Sequence, residues 1–540
     1  MFINLKKNWT SLLTAIVIPA IFLFFLYSKN VNHVNAGHML ITIGIMMVIS
    51  GIGYAVVMLI TKNGTSAMGA CAAFWVIFFV AAPWLRERML VWVPQLPVLV
   101  KMYGIALFVA LAIAFALKKY HGEAVPMLAL FLCGALLLMN MLPAVRAMIA
   151  LTGAENDPTV VKREFVTDTA LPSPNIYWIH TDGMLGFDAF ERYFDDEQKV
   201  FSDALAARGF DVYRDAQFEA GHSTNLALPS LMSPWFYDNV LHPKAADRES
   251  LMALKDDVVW MRSKAMSARV YNESIRAFET KGYQAQIIAM VSTHVPPSVE
   301  RFYMTESTRP IQRLIFEDRY WGFLPVSQLI HLSQLLDAVS PGMAYSIPAR
   351  LLDRDLFPFQ YKREPIENVL TDEELDELLL HKPDNLLSRQ NFIALNDAIK
   401  TKTDPSFTLL TIWDAHTPFR VDEQGDLIEG DVEAMENYPG THRYTAKILV
   451  NLIDMILEND PNAVIAMQGD HGLHGIAEED IIETFGEEAV TPIWNQVMSA
   501  VRVPEQYKDG SETHMGDTPL NIARYLVNRF VGESYEYLPN

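Results

Sequence analysis

Cysteine is almost missing from this chain of 540 residues, which holds only Cys71 and Cys133, both within apolar stretches. No disulfide can therefore form beyond Cys133, and cysteine says nothing about the redox compartment. Charge is almost missing from the first 150 residues, which carry ten Lys or Arg and two acids, Glu87 and Glu123. The remainder lacks a basic excess, with 33 bases against 62 acids, and the whole chain stands at -21. An acidic surface repels phosphates, which excludes nucleic acid as the main partner. Internal repeats and low-complexity tracts are also lacking.

Long apolar runs fill the uncharged part. They extend from Leu12 to Tyr27, Met39 to Ile60, Ala67 to Leu85, Val98 to Leu117 and Val125 to Ile149. Each has about the 20 residues a helix needs to cross the hydrocarbon core. A cleaved signal peptide accounts for the first at most. Buried helices of a soluble protein would carry more charge, so five membrane-spanning helices are expected over residues 1–150. With the N-terminus in the cytoplasm, Lys6, Lys7, Lys62, Lys118 and Lys119 lie inside, and Lys29, Arg86, Arg88 and Lys101 outside. The clusters Lys6-Lys7 and Lys118-Lys119 favour that orientation, which delivers the second part to the outer face. Met89 to Pro97, with Trp92, Pro94 and Pro97, reads as an interfacial piece there.

Residues 151–174 are polar and proline-containing, and read as a linker. From Asn175 strand-like and helix-like segments alternate, which predicts an α/β domain over residues 175–540. Strands are expected at Ile176 to Ile179, Gln286 to Ala289, Phe407 to Ile412 and Ala463 to Met467. Helices are expected at Val200 to Arg208, Ser388 to Lys400, Tyr444 to Glu458 and Thr518 to Phe530. Thr371-Asp372-Glu373-Glu374 has capping-box form and should open another.

Chemistry-bearing residues fall at the edges of these elements. The first strand runs into His180-Thr181-Asp182-Gly183, the edge where open α/β sheets hold ligands; Asp182 reads as a ligand or a helix cap. Gly221-His222-Ser223-Thr224 gives way to an apolar helical run, with Thr224 at or next to its start. That place suits a cap, and equally a hydroxyl that loses its proton and meets a phosphate. Ser223 and Ser230 compete with it by residue type. His416, in Asp414-Ala415-His416-Thr417-Pro418, follows a third strand and reads as a loop histidine or a ligand. Asp470-His471, in Met467-Gln468-Gly469-Asp470-His471-Gly472-Leu473-His474-Gly475, joins a carboxylate to an imidazole at a strand end: half of a metal site, or a turn. His514 precedes the last helix.

The order Asp182, Thr224, His416, Asp470-His471, His514 resembles the alkaline phosphatase–sulfatase superfamily, over roughly residues 175–540. With five spans added, the plan is similar to its membrane-anchored branch of phosphoethanolamine transferases and lipoteichoic acid synthases. The resemblance implies an N-terminal five-helix transmembrane bundle and an α/β alkaline-phosphatase-like catalytic domain, a central, mostly parallel sheet flanked by helices. It implies a divalent metal on Asp182, Asp470 and His471, with Thr224 as fourth ligand and nucleophile. His416 and His514 would bind a second metal or the substrate. Two carboxylates and an imidazole suit zinc first and manganese second.

Three features depart from that pattern. Those transferases usually carry Glu where Asp182 stands. They are usually disulfide-rich outside the membrane. The helix also lacks the Cys/Ser-x-Pro-x-Arg pattern of formylglycine sulfatases, which excludes that mechanism.

The expected function is transfer of a phosphoethanolamine or phosphoglycerol group from a membrane phospholipid to an envelope glycan or glycolipid, such as lipopolysaccharide. The expected place is the bacterial inner membrane, with the catalytic domain on the periplasmic side. The alternatives are a membrane-anchored phosphodiesterase or phosphatase, and a non-enzymatic scaffold. Residues 296–380 fit no part of the superfamily core. Within them Val326, Leu329, Ile330, Leu332, Leu335 and Leu336 form an apolar stripe beside Trp321 and Phe323, which reads as a helix packed on the core or lying at the bilayer.

Overall fold

The computed structural model describes residues 5–29, 36–77, 79, 98–119, 124–152, 163–220, 224–245, 247–257, 260–265, 268, 271–289, 299, 301–304, 366–368, 370–382, 386–428 and 431–539. They form two compact units, divided after Ala154.

The first unit is helical: Leu5–Lys29, Ala36–Thr61, Gly64–Val76, Val98–Ala116 and Ala124–Thr152. Among the described residues, three segments are long and apolar enough to cross a membrane: Asn8–Phe25, Thr42–Thr61 and Ala124–Arg146. The third predicted span is described as a helix only over Gly64–Val76, and the fourth as an apolar helix over Ala106–Ala116. The five-span count thus stays an expectation. Leu59, Phe108, Phe131 and Met139 are each at least 65% exposed, an outer face that water does not favour. Inside, polar groups satisfy one another: Ser50 Oγ donates to Ala15 O at 2.5 Å, and Trp75 Nε1 to Ser50 Oγ at 2.9 Å. Small and hydroxyl residues are what hold helices together where apolar burial gives no advantage over lipid.

The second unit is built on one seven-stranded sheet in the order β2-β7-β6-β1-β5-β3-β4. The strands are β1 Ile176–Thr181, β2 Asp211–Val212, β3 Gln284–Ala289, β4 Arg301–Met304, β5 Ser406–Ile412, β6 Val464–Gln468 and β7 Ser499–Arg502. Five run parallel, from β6 through β1, β5 and β3 to β4. The β7 strand is antiparallel to β6 and to β2. Every residue of β1, β5 and β6 is buried, because helices cover both faces. Tyr177, Ile179, Leu410, Ile465 and Met467 pack on one side with Phe392 and Leu395 of the helix Leu386–Thr401, and Leu449, Leu452 and Ile453 of the helix Tyr438–Asn459. Each fully buried side chain of this size contributes about 1.5–3 kcal/mol. The opposite side carries the helix Thr224–Met232, and Phe278 of the helix Glu273–Lys281 stacks on Phe407 at 4.8 Å.

All four predicted strands are present, and so are the four helices expected at Val200 to Arg208, Ser388 to Lys400, Tyr444 to Glu458 and Thr518 to Phe530, with shifted ends. The helix Tyr438–Asn459 starts ahead of Tyr444, because Pro439 fits a first turn where no N–H is needed. The last helix is Asn521–Phe530, preceded by a 3-10 turn at Ser511–Gly516. Thr371 and Glu374 form the expected capping box of the helix Asp372–Leu378. Met89 to Pro97 and the stripe from Trp321 to Leu336 lie outside the described residues.

Candidate metal centre

Three adjacent parallel strands, β6, β1 and β5, end at the same edge, and their loops carry the site. The β1 ladder runs one residue past the strand, where Asp182 N donates to Ile412 O at 2.9 Å. The chain then turns at Gly183, whose φ of 73° favours glycine. A Cβ there would also come within 3.2 Å of His416 Cα, so this glycine lets the Asp182 and His416 loops touch. The buried Tyr438 hydroxyl donates to Gly183 O at 3.0 Å and accepts from Leu185 N at 2.8 Å, which pins the turn from the helix side. On the β6 loop, Gly472 has no room for a side chain, since a Cβ would lie 2.2 Å from Ile493 O. Gly472 N bonds Trp494 O at 2.8 Å and Gly469 N bonds Met498 O at 2.7 Å, which fixes Asp470 and His471 between two anchored glycines.

The side chains converge. His471 Nε2 lies 3.2 Å from Thr224 Oγ1, 3.3 Å from Asp182 Oδ1 and 3.6 Å from Asp470 Oδ2. Ligands about 2.0–2.1 Å from a zinc stand about 3.3 Å apart at the corners of a tetrahedron, and His471 Nε2 lies near that separation from each of these three neighbours. The Nδ1 of His471 lies 2.9 Å from Gly472 O, and that of His416 lies 2.6 Å from Thr417 O. A carbonyl only accepts, so Nδ1 carries the proton in each ring and Nε2 is the ligand atom. His416 Nε2 reaches Asp182 Oδ1 at 3.7 Å, and Asp182, His416 and His471 hold donor atoms within 4.8 Å of one another.

Electrostatics call for a cation. Asp182 and Asp470 are 1% and 0% exposed. Asp182 Oδ1 and both oxygens of Asp470 have no hydrogen-bond partner. Buried carboxylates without partners are costly, and a divalent ion removes that cost. In the metal-free protein the adjacent imidazoles act instead. Burial would raise the Asp470 carboxyl, but the charges on His471 and His180 outweigh it and hold the group far below the usual range. Burial would lower His471, but Asp470 and Asp182 push it up to about 9. The residues present therefore fit a divalent metal.

Asp182, Thr224, His416, Asp470 and His471 thus meet at one edge. Thr224 is the first residue of its helix, whose N-terminus favours negative charge. Ser230 is spent, because its buried hydroxyl donates to Leu226 O at 2.6 Å. Ser223 lies outside the described residues. His514 joins no donor cluster among them; its ring lies 3.2 Å from Asp517 and stacks on Tyr537 at 4.6 Å. One member escapes the sequence reading. His180 is 2% exposed, and with Asp182 and Asp470 it forms a second donor group within 4.8 Å. Its signal was the spacing: residues two apart on a strand share a face, so His180 lies on the side to which Asp182 leads.

No family model matches this chain, and no curated protein matches its sequence. The structure is similar to the C-terminal periplasmic domain of EptC from Escherichia coli in a complex with zinc, at 9% identity and a TM-score of 0.37, over 69% of this chain and 87% of that one. It is similar to the integral membrane lipooligosaccharide phosphoethanolamine transferase A from Neisseria meningitidis, at 13% identity and a TM-score of 0.35, over 98% and 93%. It is similar to the lipoteichoic acid synthase LtaP from Listeria monocytogenes, at 12% identity and a TM-score of 0.33, over 72% and 80%. At these scores the residue roles rest on the site's own geometry.

Proposed function

We propose that this chain is a membrane-bound, divalent-metal-dependent phosphotransferase with Thr224 as its nucleophile. The observation that carries this is the quartet itself: a hydroxyl at a helix N-terminus, 3.2 Å from an imidazole that also faces two buried carboxylates. Thr224, Asp182, Asp470 and His471 would hold the metal, zinc first and manganese second. Bound there, the metal would ease ionisation of the hydroxyl and offset charge on the phosphoryl oxygens. Thr224 Oγ1 attacks the phosphorus of a phosphodiester and loses its proton as the bond forms. The bond from phosphorus to the leaving alcohol breaks, and that alcohol takes up a proton. An acceptor hydroxyl then attacks the same phosphorus, and Thr224 is released and reprotonated. The helix N-terminus favours the phosphate throughout.

The donor in this reading is a membrane phospholipid carrying ethanolamine or glycerol phosphate, and diacylglycerol is the leaving alcohol. Three apolar helices long enough to span a bilayer support a lipid donor. The acceptor is a glycan or glycolipid of the cell envelope, met on the periplasmic face of a bacterial inner membrane. Full-length protein in detergent, incubated with head-group-labelled phospholipid, zinc and a lipid A-type acceptor, tests this. Transfer of label with release of diacylglycerol is expected. Label released to water would make the enzyme a phosphodiesterase, and no turnover with any divalent ion would reject the reading.

His416 divides the roles further. Its side chain is 22% exposed, against 2% for His471, which supports a role for it in meeting the incoming phosphate. His416→Ala should cut turnover about a hundredfold, the typical effect of losing one donor to a developing charge. The metal should stay. Elemental analysis checks this, and a metal-free mutant would move His416 into the primary ligand set.

A further inference from the structure

His180 has no part in the reaction just described, yet it lies against one of its carboxylates. Its side chain is 2% exposed and its Nε2 stands 3.1 Å from Asp470 Oδ1. Asp470 Oδ1 is the polar atom the structure places beside that otherwise unsatisfied nitrogen. Contacts of this kind tighten when such a site is occupied. Two of the polar groups around it are already committed. Below the ring lies a small cavity walled by Leu228, Pro229, Met232 and Leu409, with Ser233 and Asn272 behind them. Ser233 Oγ accepts from Glu273 N at 3.2 Å, and Asn272 Oδ1 caps the next helix through Ile275 N at 3.2 Å. Asp470 presents two separate oxygens. Oδ2 turns toward His471 and the quartet, and Oδ1 toward His180.

We propose that His180 is a positioning residue for the metal centre. Its Nε2–H bonds Asp470 Oδ1 from beneath and so aims Oδ2 at the cation. The inference rests on the metal reading above. It follows the pattern in which an outer group orients a ligating group, and loss of such a partner typically costs 10- to 100-fold in metal affinity.

Two variants fill the same buried space. His180→Phe keeps a ring and loses the donor; His180→Gln keeps an N–H at similar reach. Full-length protein in detergent is stripped with a chelator and titrated with zinc against a chromophoric competitor, with ions per chain counted by elemental analysis. H180F should bind zinc about 10- to 100-fold more weakly than wild type. Its ion count at saturation should be unchanged, and H180Q should stay within a few-fold of wild type. Far-UV circular dichroism of the metal-free proteins should coincide. Wild-type affinity in H180F overturns the inference, and so does H180Q as weak as H180F. One ion fewer per chain in H180F makes His180 a ligand in its own right and also overturns it. Wild-type protein that takes no zinc rejects the metal reading itself, a result distinct from the others.

Discussion

Thr224→Ala should reduce turnover by about a thousandfold or more while leaving the second unit folded. The structural cost is small. Thr224 opens its helix, alanine is a good helix former, and Leu226, Ala227, Leu228, Leu231 and Met232 still bury the apolar face. The chemical cost is large, because the two described serines of the same helix and its end are engaged elsewhere. Ser230 donates to Leu226 O inside the helix, and Ser233 Oγ accepts from Glu273 N, so both are held away from the quartet. Asp182, Asp470 and His471 remain, so the mutant should still take up metal, with weaker affinity for want of the fourth ligand. The lipid assay measures the loss. Mass spectrometry of wild-type enzyme stopped in mid-turnover should find a phosphate-linked adduct on Thr224. Full activity in the mutant would pass the role to Ser223 or to a water molecule, and the covalent route would fall.

How much of this site the chain discloses depends on whether local chemistry or tertiary neighbours decide each feature. The central strands β1, β5 and β6 are legible because burial on both faces leaves uninterrupted apolar runs. Asp182 and Asp470-His471 are legible because glycine turns follow such runs directly. The edge strands are not. β2 is two residues long and exists only through its pairing with β7, which no local periodicity reveals. Ser230 competes with Thr224 by residue type, and the structure separates them: Ser230 donates back to Leu226 O, while Thr224 Oγ1 lies 3.2 Å from His471 Nε2. His514 shares the look of a ligand, but Asp517 and Tyr537 engage its ring. His180 is hidden for the opposite reason. Inside an apolar run a histidine reads as an interruption, and only the fold brings Asp470 to its side.

Asp470→Asn and His471→Ala should each lose the metal along with activity. Outer-shell changes cost 10- to 100-fold in affinity, and removal of a ligand should exceed about a hundredfold. The amide in Asp470→Asn keeps the shape and deletes a charge the cation needs; His471→Ala deletes the atom nearest to Thr224, Asp182 and Asp470 together. Stoichiometric metal in both purified mutants would make the loop structural. The same pair sets a pH dependence whose sign can be worked out. Without metal, His471 is pushed up from 6.5 to about 9, chiefly by Asp470 once burial is overcome. A raised imidazole contributes stability that is fully present below its unfolded value and is lost as pH rises through the folded one. Zinc held by His471 would displace the Nε2 proton, so a zinc-bound protein would not suffer that loss. Apparent zinc affinity should therefore fall about tenfold for each pH unit below about 9, one proton being displaced per ion. The gain in melting temperature on adding zinc should grow between about pH 6.5 and about pH 9 in wild type and vanish in His471→Ala. A zinc effect independent of pH would mean that the ion does not compete with the His471 proton, and it would have to be held elsewhere.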